Sequence, residues 1–271
     1  MHVIKKKILL NLARDVIIGC EIDSLESHLV CILFIHNISK IKESLLSRSD
    51  AWVVVPAFNE ELVVRETITK LITHFSNVVV VDDNSRDNTA DEAHSAGAHV
   101  CKHPVNLGQG AALQTGIDYA LKNDANYIIT YDADGQHSLD DAIAMYERMS
   151  LGDVDVVLGS RFMGRTIGMS ASKHLLLKMA ILYTQITSGL KVTDTHNGLR
   201  CINRVAARKI RIRHNRMAHA SEILNKIGSL GLEYVEIPCT ITYTDYSRAK
   251  GQRMTGAFAI IWDLALGRLY R

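Results

Sequence analysis

Residues 127–137 read YIITYDADGQH: a short apolar run, then Asp132 and Asp134 on either side of Ala133, then Gly135, Gln136 and His137. A run of this length that stops at a polar turn has the form of a strand buried on both faces. The same form recurs on both sides of it. AWVVVP (51–56), NVVVVDD (77–83), AHVCKH (98–103) and DVDVVLGS (153–160) all read as strands. Between them lie helical patterns at 60–75, 86–97, 108–123 and 139–149. Strands alternating with helices predict an α/β fold with a mainly parallel, Rossmann-like sheet flanked by helices. Such sheets bind ligands at the carboxyl ends of their strands. Asp82 and Asp83 follow one strand and Asp132 and Asp134 another, so both clusters are expected at one crevice.

The second half is less regular. Residues 173–190 and 217–231 read as helices, 232–246 alternates like a hairpin, and 256–271 closes as an amphipathic helix. Residues 1–50 share none of this pattern and are set apart as an extension of unknown role, leaving 51–250 as the principal domain and 251–271 as a terminal helix.

The chain has 271 residues, 47% of them apolar, with a formal charge of +2. That leaves ample material for a core and gives no global case for nucleic acid as a partner. The five cysteines lie far apart without a C-x-x-C pair, which fits reduced thiols of a cytosolic protein. No apolar run reaches the roughly 18 residues needed to span a bilayer. The basic start MHVIKKKILL lacks a cleavage site for export, so a soluble, cytoplasmic chain is expected.

Several chemistries are excluded. No G-x-x-x-x-G-K-[ST] is present, GQGAAL lacks the third glycine of a dinucleotide site, and DADGQHSLDDAI ends in Ile143 where a calcium loop needs glutamate. The stretch His94, His99, Cys101 and His103 matches no zinc-finger spacing. What remains is D-x-D. Two adjacent carboxylates repel when ionised, which calls for a cation, most naturally Mg²⁺ or Mn²⁺ held together with ligand phosphates. Gln136 stands where it can add a neutral oxygen.

Five segments in order, VVVPAFNEE (53–61), VVVVDDNSRDNT (78–89), HPVNLGQGAALQTG (103–116), YDADGQH (131–137) and VVLGSRF (156–162), resemble the catalytic domain of glycosyltransferase family 2. The likeness is strongest to the branch containing dolichyl-phosphate mannosyltransferase and the polyprenyl-phosphate sugar transferases. It implies a GT-A fold, a nucleotide-sugar donor (UDP- or GDP-linked) and a divalent metal. Carried over residue by residue, Pro56, Phe58 and Glu60 frame the nucleotide, Val81 and Asp83 hold the base, and Asp132, Ala133 and Asp134 form the D-x-D. Asp132, Asp134 and Gln136 take the metal positions, and Arg161 neutralises donor phosphate. DTHNGLR (194–200) matches a D-x-x-x-G-[FL]-R motif, making Asp194 the first candidate base for a hydroxyl acceptor and His137 a weaker one. Arg248 and Lys250 of YSRAKGQ (246–252) are implied to bind pyrophosphate or lipid phosphate.

The chain departs from many relatives in having Asn84 and Asn88 where glycines are usual, a change Asn tolerates in turns. It also lacks Q-x-x-R-W, against processive polymerisation. The expected catalytic residues are Asp194, Arg161 and Asp134. The reaction implied is inverting transfer of a hexose to a polyprenyl phosphate. The rivals are transfer to a glycan hydroxyl, a sugar-1-phosphate nucleotidyltransferase, and a non-catalytic nucleotide-binding protein. Seven basic residues from Arg200 to Arg216 and an apolar stripe at Phe258, Ile261, Trp262, Leu264, Leu266 and Leu269 point to peripheral contact with a cytoplasmic membrane face. A membrane protein or a second copy of the chain completes the set of expected partners.

Overall fold

A computed structural model describes residues 48–167, 171–243 and 246 of the chain. The expectations for residues 1–47, for the terminal helix, and for Arg248 and Lys250 lie outside the described residues.

The first half alternates as read: β1 (Ala51–Ala57), α1 (Val64–Ile72), β2 (Asn77–Asp82), α2 (Thr89–Ser95), β3 (His99–Lys102), α3 (Gln109–Lys122), β4 (Tyr127–Thr130), α4 (Leu139–Ser150). There follow β5 (Val156–Ile167), α5 (Ala171–Ser188), β6 (Arg200–Asn203), α6 (Arg204–Lys209), α7 (His219–Ser229) and β7 (Tyr234–Thr242). The strands form one seven-stranded sheet in the order β3-β2-β1-β4-β6-β5-β7. β6 pairs antiparallel with β4 and β5, while the other neighbours pair parallel.

Period-two alternation sends successive side chains to opposite faces. Val53, Val55, Val78, Val80, Ile129 and Val157 meet α1, α2 and α4 on one face. Val54, Val79, Val81, Ile128, Val156 and Leu158 meet α3, α6 and α7 on the other. Both faces are covered, which is why the strands read as unbroken apolar runs. β2 and β4 flank β1 with the same polarity, so their carboxyl ends open on one side, about 10 Å apart.

The second half differs from expectation in three places. The hairpin expected at 232–246 is instead one strand through Thr242, parallel to β5. Its alternation arises because an edge strand buries Cys239 and Ile241 and half-exposes their neighbours. Pro238 sits there without harm, since an edge strand tolerates a missing N–H. β5 runs past Ser160 to Ile167, across a break in register before Arg165 that lets it follow β7. The basic run from 200 to 216 starts as β6, continues as the short α6, and ends in a stretch without regular secondary structure.

α3 lies against β1 and β2 so closely that a Cβ on Gly116 would stand 2.3 Å from Val54 Cγ1 and 3.2 Å from Val81 Cγ2. Gly116→Ala is therefore expected to destabilise the fold by about 1–3 kcal/mol through overpacking. Helix propensity alone would make the same change favourable by about 1 kcal/mol. The urea midpoint of the purified variant decides the sign, and a raised midpoint refutes the close contact.

Candidate active site

The β1–α1 turn and the loop after β2 are bound together side by side. Asn59 N donates to Ser85 Oγ (2.9 Å), Arg86 N to Asn59 Oδ1 (2.8 Å), Glu60 N to Thr89 Oγ1 (2.7 Å) and Asn88 N to Glu61 Oε2 (3.1 Å). Asn59 and Asn84 adopt φ of 55° and 61°, a left-handed conformation that Asn accepts more readily than most residues. Asn84 thus fills a position usual for glycine in relatives, while Asn88, at φ −83°, needs no such freedom. Phe58 is 40% exposed at the mouth, Pro56 is part of β1, and Glu60 is buried apart from its carboxylate contact with the Tyr246 hydroxyl (2.8 Å).

The two aspartates after β2 have separate roles. Asp83 accepts from Leu107 N (2.9 Å), Gly108 N (2.6 Å) and His103 Nδ1 (2.7 Å), and so anchors the loop that starts α3. Asp82 accepts from Ser85 N (3.1 Å), but its buried Oδ2 has no hydrogen bond among the described residues, with the Lys102 ammonium 3.9 Å away. Val81 and Ala133 are core residues: the first packs beneath α3, and the second gives its carbonyl to Thr67 Oγ1 (3.3 Å).

At the D-x-D, Asp132 accepts from Gln109 Nε2 (3.0 Å) and contacts His137 Nε2 (2.9 Å). Burial opposes its ionisation, yet the His137 contact and the charge of Arg200 hold its carboxyl below the usual range. Asp134 goes the other way, pushed up to about 6 by burial and then by the charge of Asp132. Its carboxylate accepts from Gln136 through both the backbone N–H and the side-chain amide. His137 is turned inward, its side chain 3% exposed and its Nδ1 unpaired among the described residues.

Arg161 and Asp194 form a buried ion pair. Asp194 Oδ2 accepts from Arg161 Nε (2.6 Å) and Arg161 N (3.1 Å), and Oδ1 from His196 N (3.2 Å). Arg161 Nη1 also donates to the Tyr243 hydroxyl (2.9 Å). Burial works against the Arg161 charge, but Asp194 and Tyr243 outweigh it and keep its pKa above the usual value. Glu236 secures the loop from β7, accepting from Thr193 N (2.8 Å) and Asp194 N (3.2 Å).

Two residues given no role in the site from the sequence complete this arrangement. Arg200 is a buried guanidinium whose pKa burial lowers to about 10 while Asp132 and Asp194 pull it back up. Its Nη1 has no hydrogen-bond partner among the described residues. Gly198 lies against the D-x-D: a Cβ there would stand 2.1 Å from Asp132 Oδ2. Both stand inside DTHNGLR, and the glycine marks a close approach that only its lack of a side chain allows. His196 and His219 are lowered to about 4 by burial and are uncharged at neutral pH.

Among the described residues no three His, Cys, Asp or Glu side chains converge to enclose an ion. The D-x-D supplies two oxygen donors and leaves the others to a ligand, which suits a hard divalent cation shared with phosphates. The raised Asp134 fits that reading, because burial and the charge of Asp132 both disfavour its ionised form and a bound cation offsets both.

A family model described as Glycosyl transferase family 2 matches residues 52–211. An uncharacterized protein of Methanocaldococcus jannaschii is 35% identical, covering 86% of this chain and 97% of its own length. The UDP-N-acetylglucosamine–dolichyl-phosphate N-acetylglucosaminyltransferase of Methanococcus voltae is 28% identical over 79% of this chain and 94% of its own. In fold, the chain resembles glucosyl-3-phosphoglycerate synthase from Mycobacterium tuberculosis in complex with Mn²⁺ and UDP-glucose. The TM-score is 0.62 at 17% identity, covering 82% of this chain and 78% of the other. With its strand order, its D-x-D and this match over most of the principal domain, the chain is a GT-A glycosyltransferase and belongs to glycosyl transferase family 2.

Proposed function

We propose that the enzyme transfers a hexose from a nucleotide-sugar to a polyprenyl phosphate, with inversion at the anomeric carbon and with Mg²⁺ or Mn²⁺ at the D-x-D. The donor class is supported by the likeness to a UDP-glucose complex, and the acceptor class by the relative whose name includes dolichyl phosphate.

The observation that carries the acceptor is the state of Asp194. A hydroxyl acceptor needs a general base with a lone pair facing it. Both oxygens of Asp194 are engaged, and its side chain is 1% exposed. His137 is turned inward onto Asp132. A phosphate acceptor arrives already anionic and needs no base, so the same arrangement is sufficient for it. In this reading Asp194 is a positioning residue that fixes the Arg161 guanidinium for phosphate.

Asp132, Asp134 and Gln136 would hold the cation together with the donor's phosphates. When bound, it offsets charge building on the departing nucleoside diphosphate. Phe58 presents its exposed ring to the base, and Glu60 its carboxylate to the ribose. Of the two aspartates after β2, Asp83 is committed to the loop that starts α3, while Asp82 lies buried with an oxygen that has no hydrogen bond among the described residues. Arg248 and Lys250 follow Tyr246, whose hydroxyl is held at Glu60. Both lie outside the described residues, and their role at the donor phosphates rests on the family motif alone. Among the described residues no helix is long and apolar enough to cross a membrane, so access to a lipid substrate is read as peripheral.

Assays with a short-chain polyprenyl phosphate, the matching polyprenol and a free sugar acceptor test the acceptor; transfer only to an alcohol overturns the reading. For the donor, calorimetry with UDP- and GDP-sugars is expected to show Mn²⁺-dependent binding that EDTA abolishes and Asp134→Ala weakens at least about tenfold. Binding indifferent to both would remove the metal from the proposal. Asp194→Asn is expected to lower kcat by about 10²–10³ through misplacement of Arg161, while the pH–rate profile keeps its shape. Loss of the acidic limb of that profile would instead identify Asp194 as the base.

A further inference from the structure

The charge of this chain is unevenly divided. Residues 156–221 contain twelve Lys and Arg residues and a single acid, Asp194, whereas the rest of the chain contains nineteen basic and twenty-eight acidic residues. Asp194 is buried, so the segment presents no carboxylate to solvent.

Within this segment lies α5, the helix that connects β5 to the Asp194 loop. α5 packs against α7 and buries Leu177 and Thr184, one heptad apart. Leu175, Met179, Leu182 and Ile186 are spaced by four, three and four residues, which places them on one face. They are 58–73% exposed, and among the described residues nothing covers them. Met163 and Ile167, at the end of β5, are also at least half exposed. Arg165, Lys173, Lys178 and Lys191 are the charged residues nearest in sequence, and all are positive.

We infer that the apolar face of α5 is the enzyme's docking surface for an anionic lipid bilayer. A helix with this face, flanked in sequence only by positive charge, lies in the plane of an interface, its apolar side chains in the acyl boundary and its cations among the headgroups. A second copy of the chain is a poor occupant, because it would bring the same positive segment against itself. α5 also follows β5, the strand that carries Arg161, and leads into the loop that carries Asp194, so a membrane-bound α5 ties the segments that hold that ion pair to the lipid surface. This last consequence rests on the polyprenyl phosphate acceptor; the docking itself does not. The basic run from 200 onward, which the sequence had offered for this role, is partly spent elsewhere: Arg200 is buried, Arg204 pairs with Asp124 and Arg211 with Asp118.

The test uses the full chain and a variant carrying Leu175→Gln, Met179→Gln, Leu182→Gln and Ile186→Gln, with vesicles of phosphatidylcholine alone or mixed with phosphatidylglycerol. The wild type is expected to co-sediment with the mixed vesicles, less so as salt is raised. The variant is expected to bind at least about tenfold more weakly, with unchanged melting temperature and unchanged nucleotide-sugar binding by calorimetry. Equal vesicle binding by variant and wild type overturns the inference, as does a wild type that ignores anionic vesicles. A variant that melts lower while still binding vesicles shows the face to be covered by the chain itself. A variant that turns a dimer into a monomer shows it to be a contact between copies. Either result also overturns the inference. Failure of the wild type to bind any nucleotide-sugar would count against the proposed function and leave the docking result standing.

Discussion

The buried pair of Arg161 and Asp194 is the contact on which the rest of the site depends. It joins the end of the sheet's apolar section, where β5 leaves the core, to the loop that leads back into β6. Removing one member of such a pair leaves an uncompensated charge in the interior, a cost of about 3–5 kcal/mol. The neighbours fit that constraint: Glu236 accepts the loop's amides, Tyr243 takes one guanidinium hydrogen, and His196, lowered to about 4, adds no charge. The pair also narrows what chemistry is open to the site, because Asp194 is buried and three of its four lone-pair sites are already taken.

The D-x-D is a second case of charge held out of balance. Asp132 is kept ionised by His137 and Arg200, and that charge, after burial, helps raise its neighbour Asp134 to about 6. On the proposed reading, a proton and a divalent cation would compete for the oxygens of Asp134. The loops beneath are shaped to keep this arrangement: Gly198 has no side chain where one would strike Asp132, and Gln109 reaches it from the first turn of α3. Asp83 holds that turn in place through two loop amides.

Much of this was legible in the sequence, for a physical reason. Strands buried on both faces must be apolar throughout, and polar residues at their ends then stand out, as in VVVVDD and YIITYDAD. The tolerance of Asn84 for a left-handed turn was readable for the same kind of reason, since it depends on one residue's own backbone. What could not be read depends on distant partners. β6 is four residues of RCIN whose strand character comes from β4 and β5 on either side. β7 alternates as half of a hairpin would, and only its partner shows that it pairs parallel with β5. Arg200 and Gly198 lay inside a motif already singled out, but their roles come from Asp132, more than sixty residues away along the chain.

The two halves of the domain also divide the problem a transferase must solve. A nucleotide-sugar is soluble and strongly anionic, and the elements expected to hold it come from β1, β2 and β4, in the region of the chain where acids outnumber bases. Two carboxylates there would repel the donor unless a cation were bound with it, so metal and donor are expected to arrive as a unit. The segment from β5 to α7 has the opposite sign and supplies Arg161, Arg200 and the exposed face of α5. An anionic acceptor is attracted to it without help. On the proposed reading, an anionic donor with its cation and an anionic acceptor would meet at the junction of the two regions, where Arg161 is held by Asp194 and Asp132 by Gln109 and His137.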